Sequence, residues 1–331
     1  MKRIALLSLF LLLPFRAESA PSMQDLSVKV AEDFILPAYE RLAVQSRNQA
    51  EHWAKTCDID DLKPAFQQTS DAWAAVQHMN YGPITFLLRR DRLYHWPERR
   101  NAVSKSLNKI LATKQIPDDF TTTSVALQGL PALERLLYTD MESDKFSCQL
   151  GQAIARNIQD ITEGAYQDWQ ELVTYFKEGK AHPIYFDTMD EVGNRLFTEL
   201  LAGFQMISDQ KIALPMGSSL EKANGKRAEG WRSKRSTRYI QQSALGLMAM
   251  SRPFMEFLPG EAKKQVQIQF SLFARRANTL PISIKNGVKD EAGRLQIRKF
   301  LDESRKTRNQ LVDTFTKYLG LTVGFNSLDG D

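Results

Sequence analysis

The sequence predicts an all-α protein of two tandem four-helix-bundle-like domains, and three observations carry that expectation. Apolar residues recur at spacings of three and four, as in Leu150, Ile154, Ile158, Ile161, Ala165, Trp169 and Leu172, which is the stripe that a helix with one buried face requires. No segment shows sustained period-two alternation or a hairpin signal, the pattern that a half-buried strand would impose. Four long helical stretches precede Lys177 to Pro183, where Gly179 and Pro183 mark a boundary, and four follow it. Bundles hide such stripes against one another, and binding sites sit between them. The alternative is one continuous helical domain. The halves do not align as a short repeat, so a solenoid is not expected.

Taken in order, Lys2-Arg3 precedes the apolar run Ile4 to Phe15, which is too short to span a bilayer, and the small residues Ala17, Ser19 and Ala20 follow. Residues 1-20 therefore read as a secretory signal, cleaved after Ala17 or Ala20, and no membrane span is expected after cleavage. The localisation implied is periplasmic. About 310 residues remain, enough for two domains, expected at 23-180 and 184-331. The first helix runs from Ser27 to Ala54, with apolar residues at Val30, Phe34, Ile35, Ala38, Leu42 and Val44 in roughly helical spacing and a kink at Pro37. Cys57 to Asp61 supplies cap and loop residues for a second helix, Leu62 to Met79. Tyr81-Gly82-Pro83 ends it. An aromatic and arginine-rich stretch, Ile84 to Pro97, leads into a helix from Glu98 to Thr113. After the boundary, helices are expected at Met189 to Ser208, Thr237 to Phe257, Glu261 to Asn278 and Asp290 to Leu319, with Pro215 to Arg227 as a surface loop.

A hydrophobic content of 43% and a charged content of 25% are those of a globular protein. The net charge of +5 includes Lys2, Arg3, Arg16 and Glu18, so losing the signal removes a net two positive charges. The mature chain is mildly basic and has no nucleic-acid footprint. The clusters Arg89-Arg90-Asp91-Arg92, Arg232 to Arg238 and Arg294 to Arg308 read as solvated helix faces. Two cysteines, Cys57 and Cys148, make one disulfide in an oxidising compartment, worth about 4 kcal/mol in the chain-entropy model; the alternative is two buried free thiols. Standard catalytic signatures are absent: no HExxH, GxSxG, Walker loop, dinucleotide fingerprint or CxxCH occurs. The four histidines, His52, His78, His95 and His182, form no i, i+4 pair, and no Glu-x-x-His pattern of a bundle iron site is present.

The focus of the chain is Gly129-Leu130-Pro131-Ala132-Leu133-Glu134, inside the apolar run Ser124 to Tyr138. Glycine and proline two residues apart loosen a helix, and a carboxylate follows at once. A buried acid beside a helix break needs a counter-charge, a hydrogen bond or a metal. Arg92, Arg99, Arg232 and Arg235 are the candidate counter-charges, with at least one arginine expected within hydrogen-bond reach of Glu134. Tyr81, Tyr94 and Trp96 are candidate walls, since each offers an apolar face and a hydrogen-bonding tip. Ser233 or Ser236 reads as the N-cap of the helix that follows.

These residues resemble the imelysin family, also called imelysin-like peptidases, over essentially the whole mature sequence. The likeness rests on Tyr81-Gly82-Pro83 with Arg92 to Pro97, on Gly129 to Glu134 continuing into Arg135-Leu136-Leu137, and on Leu319-Gly320-Leu321 with Gly324-Phe325-Asn326 and Asp329-Gly330-Asp331. The resemblance implies two helical bundles related by pseudo-symmetry, a periplasmic or envelope location and a role in iron uptake, with iron-uptake components of the envelope as partners. The family hallmark is glycine, any residue, histidine, two residues, glutamate. Gly129 and Glu134 match it, but Pro131 stands at the histidine and has no ligand atom, so a metal role falls on Glu134 alone. The function expected is binding of iron, an iron chelate or a partner protein in the cleft between bundles. The alternatives are a metallopeptidase-like hydrolase, whose ligands and base are missing from the sequence, and a structural or interaction protein in which Glu134 only accepts hydrogen bonds.

Overall fold

The computed structural model describes residues 21–139, 144–182 and 184–324. The signal segment 1-20, the boundary residue Pro183 and the C-terminal motif residues Phe325, Asn326 and Asp329-Gly330-Asp331 lie outside the described residues. The chain is all helical, with no strand among the described residues: α1 Met23–Val30, α2 Leu36–Lys55, α3 Ile59–Val76, α4 Arg89–Leu93, α5 Ala102–Thr113, α6 Val125–Gln128, α7 Leu130–Tyr138, α8 Lys145–Lys177, α9 Met189–Gln205, α10 Leu214–Met216, α11 Ser236–Met255, α12 Gly260–Ala277, α13 Ile284–Gly287 and α14 Glu291–Leu319. Short polar side chains start the long helices. Asp58 accepts from the N–H groups of Asp60 and Asp61, Asp144 from Ser147, Thr188 from Glu191 and Asp290 from Gly293, each filling part of the unpaired first turn.

Two widened turns depart from the sequence expectation. A π-helical turn, Ala31–Ile35, joins α1 to α2, and a second, Met206–Ala213, joins α9 to α10. Each is followed by a leucine and a proline, Leu36-Pro37 and Leu214-Pro215. A proline has no N–H and its ring crowds the preceding turn; a turn with one extra residue relieves both problems and keeps the helical path unbroken. The helical path therefore passes through Pro37 and, in the second half, extends beyond Ser208 to Met216.

Helices α2 and α8 pack against each other, with α3 on α2 and α7 on both α3 and α8. In the second half α11 packs on α12, α12 on α14 and α9 on both α11 and α14. The two groups meet along α3 and α11, and again where α1 lies on α9 and α11. Gly246 of α11 sits so close to α3 that a Cβ there would lie 2.1 Å from the Ala75 carbonyl oxygen. Only glycine permits that approach. The buried apolar core runs through both groups without interruption. A disulfide, Cys57–Cys148, ties the start of α3 to the first turn of α8 with the Cα atoms 5.6 Å apart.

The arginine clusters are not simple solvated faces. Arg89 pairs with Asp168 at 2.5 Å, Arg235 is buried against Asp71, and Arg294 is buried while donating to the carbonyls of Met216 and Val288 at 2.7 and 3.1 Å. Burial of a guanidinium is tolerated where its five donors find such acceptors. Likewise Pro215 to Arg227 is not wholly a surface loop, since Gly225 is buried beside the Lys285 carbonyl.

Candidate functional site

Gly129 adopts φ −123° and ψ −166° and separates α6 from α7. A Cβ at this position would lie 2.1 Å from the Leu93 carbonyl oxygen and 2.5 Å from that of Arg92, so the glycine lets the helix break press against the end of α4. Pro131 falls in the first turn of α7, where a missing N–H costs no hydrogen bond. Its carbonyl accepts from Arg135 Nη1 at 2.8 Å. Glu134 follows one turn along α7, and the helix thereby carries proline and acid to the wall of a cleft.

The cleft has a volume of about 820 Å³ and lies between the α4–α5 connection, α7 and the segment that leads into α11. Tyr94, Trp96, Arg99, Pro131, Glu134 and Arg232, six of the residues singled out in the sequence, line it together. Glu134 is 8% exposed. Its Oε1 accepts from the Ser233 backbone N–H at 2.9 Å and from Ser233 Oγ at 2.6 Å. Among the described residues no arginine hydrogen-bonds it, contrary to the expectation. Ser233 spends its hydroxyl on Glu134, and α11 begins after Arg235 with no side-chain cap bond.

Four sequence candidates lie outside the lining. Tyr81 is buried among Trp169 and Phe186, with ring centroids 5.6 Å from each. Arg92 donates from Nε to Gln128 Oε1 at 2.7 Å and from Nη2 to Asn157 Oδ1 at 2.9 Å, tying α4 to α6 and α8. Arg235 is committed to Asp71 and Gln67, and Gly129 acts through the backbone contact just described. Sequence reasoning did not select His95, Glu98, Arg135, Lys226, Arg227 or Trp231, which also line the cleft. Trp231 heads a basic cluster, which was a usable signal; Lys226 and Arg227 are ordinary in composition and gave none.

Behind the Trp96 wall lies a buried polar seam. Lys211 and Glu229, each almost fully buried, form an ion pair. Lys211 Nζ also donates to Gln77 Oε1 at 2.6 Å, and Gln77 Nε2 donates to Glu229 Oε1 at 2.8 Å. The ammonium stands 5.7 Å from the Trp96 ring centroid and 5.4 Å from that of Tyr239, within cation–π range. Burial, then the Glu229 charge, raises the Tyr94 phenol well above its ordinary range, so Tyr94 faces the cleft as a neutral group. The seam continues with Asp71, which binds Arg235 and, at 2.5 Å, Arg238, and with Glu199, which pairs with Arg195 at 2.5 Å and accepts from the Asn80 N–H at 2.7 Å.

A protein-held metal needs several donors converging on one point. Among the described residues no three His, Cys, Asp or Glu side chains form such a group. Glu134, the ligand that the resemblance would supply, has one oxygen committed to Ser233. The donor set at the cleft therefore does not fit a resident metal centre. No helix among the described residues is long and apolar enough to cross a membrane.

The sequence matches the imelysin family model over residues 35–311. An imelysin-like protein from Psychrobacter arcticum 273-4 shares 17% identity and a TM-score of 0.75, with 92% of this chain and 98% of that chain covered. A protein from Parabacteroides distasonis ATCC 8503, described as an iron-regulated protein A precursor, shares 13% identity and a TM-score of 0.71, with 91% and 97% covered. At such identities the likeness is one of fold. No curated protein matches the sequence.

Proposed function

The chain belongs to the imelysin family, and from that premise we propose that it is a non-catalytic periplasmic protein of iron acquisition, whose cleft binds iron as a chelate or a component of the uptake machinery. The single observation that carries this reading is the cleft itself, where aromatic walls, basic side chains and Glu134 converge. The iron context is supported by a structural neighbour described as iron-regulated, and an exported location by the disulfide. Residues 23-180 and 184-331 are read as the two bundles on either side of the cleft. A metallopeptidase would need metal ligands and a base that the cleft does not assemble.

Growth of a deletion strain under iron limitation tests the reading. Wild-type protein restores growth and a Trp96→Ala, Trp231→Ala variant of normal stability does not. Unchanged growth on deletion, together with iron-free protein after incubation with ferric chelates, would falsify the proposal. The hydrogen bonds from Ser233 favour a second reading, in which Glu134 is structural. Glu134→Ala separates the two: a large fall in the unfolding midpoint with unchanged binding supports the structural role, and the reverse supports the site.

A further inference from the structure

We infer that the cleft takes a polyanion, a small molecule with two or more carboxylate or phosphate groups, held by Arg99, Lys226, Arg227 and Arg232 with its body against Trp231. This rests on the cleft being the ligand site and names the class of ligand. Five basic side chains line the cleft against two carboxylates. One of the five, Arg135, is already neutralised by Glu98. The other carboxylate, Glu134, has two donors from Ser233 on one oxygen. The four remaining cations have no acidic partner among the described residues. Arg232 donates to Asn101 Oδ1 at 3.4 Å, and its guanidinium lies 4.3 Å from the Trp231 ring centroid. The ammonium groups of Lys226 and Lys285 approach the same ring at 5.9 and 4.6 Å.

Like charges gathered without partners repel one another, and an entering anion removes that repulsion while gaining planar, forked donors from arginine. The charged groove between α1 and the end of α8 does not share this property. Around Lys29 and Lys177 every ammonium has an acid, namely Asp33, Glu256 or Glu32. An uncovered iron cation would meet the same repulsion in the cleft that an anion relieves. Iron would enter only inside a complex whose outer groups are negative. The volume of about 820 Å³ suits a molecule of that size.

Titration calorimetry on the mature protein, with citrate, pyrophosphate and ferrous sulfate as separate probes, tests the inference. At least one of the two anions binds, more weakly as salt rises. Arg227→Ala with Arg232→Ala weakens that binding by about tenfold or more. Preference for citrate identifies a carboxylate ligand and preference for pyrophosphate a phosphate ligand. Anion binding that the arginine variant leaves unchanged overturns the inference. Binding of ferrous ion alone, lost in Glu134→Gln, overturns it too but retains the cleft as an iron site. Binding of none of the three overturns both the inference and the cleft reading on which it rests.

Discussion

The cleft and the seam behind it hold the same kinds of side chain a few ångströms apart, yet they treat charge in opposite ways. In the seam Lys211, Arg235 and Arg195 each meet a carboxylate, and the acids Glu229, Asp71 and Glu199 take further donors from Gln77, Arg238 and the Asn80 backbone. In the cleft Arg99, Lys226, Arg227 and Arg232 form no ion pair among the described residues. Buried charge that lacks a partner would cost several kcal/mol, so the seam must be closed for the halves to join. Charge in the cleft, exposed at Arg99, Lys226 and Arg227 and part-exposed at Arg232, is cheap to leave open and remains free for a ligand. The difference separates side chains that hold the fold from side chains that can recognise something.

The largest effect should come from breaking the seam. Glu229→Ala leaves Lys211 buried without its carboxylate and should lower stability by about 3–5 kcal/mol, read as the shift of a urea unfolding midpoint. Lys211→Met combined with Glu229→Leu should recover much of that loss, because an apolar pair carries no desolvation cost. A midpoint unmoved by Glu229→Ala would erase the distinction between seam and cleft.

Gly129→Ala should rank next. Its Cβ would overlap the Leu93 carbonyl, so α4 or α7 must shift, at a cost of about 2–3 kcal/mol in the same measurement. A normal midpoint would show that the break tolerates a side chain.

His78 gives a pH-dependent effect. Burial, followed by the charges of Lys211 and Arg90, lowers its imidazole from 6.5 to about 3. The folded protein keeps His78 neutral while the unfolded chain takes up a proton below about 6.5. Its contribution is therefore fully present above that value and is lost as pH falls toward 3. Between about pH 7 and about pH 5 the loss should be about 1–2 kcal/mol. His78→Gln should flatten the dependence of the unfolding midpoint on pH over that interval; an equal slope in the variant would remove His78 as its source.

Much of the fold was legible because helices leave a periodic trace. Leu150 to Leu172 fixes the face of α8, and Cys57 to Asp61 marks the start of α3 in the sequence. Gly129 and Pro131 also announce a break, and Tyr94, Trp96, Arg99 and Arg232, candidates in the sequence, line one cleft with Glu134. What was not legible depends on distant partners. Arg92 looks like Arg99 in sequence, yet Gln128 and Asn157 claim one while the other faces the cleft. Glu229 sits in a polar stretch that reads as loop, and its partners Lys211 and Gln77 give it a reason to be buried. The widened turns before Pro37 and Pro215 depend on how a helix chooses to absorb a proline, which composition does not specify.

The smallest expected effect is the most telling. If the cleft cations are free for a ligand rather than part of the scaffold, replacing Arg99, Arg227 and Arg232 together by alanine should leave the urea unfolding midpoint within about 0.5 kcal/mol of wild type, or raise it as repulsion is relieved. A loss of several kcal/mol, like that expected for Glu229→Ala, would mean that these arginines hold the structure together and would contradict the account of the cleft as a binding site.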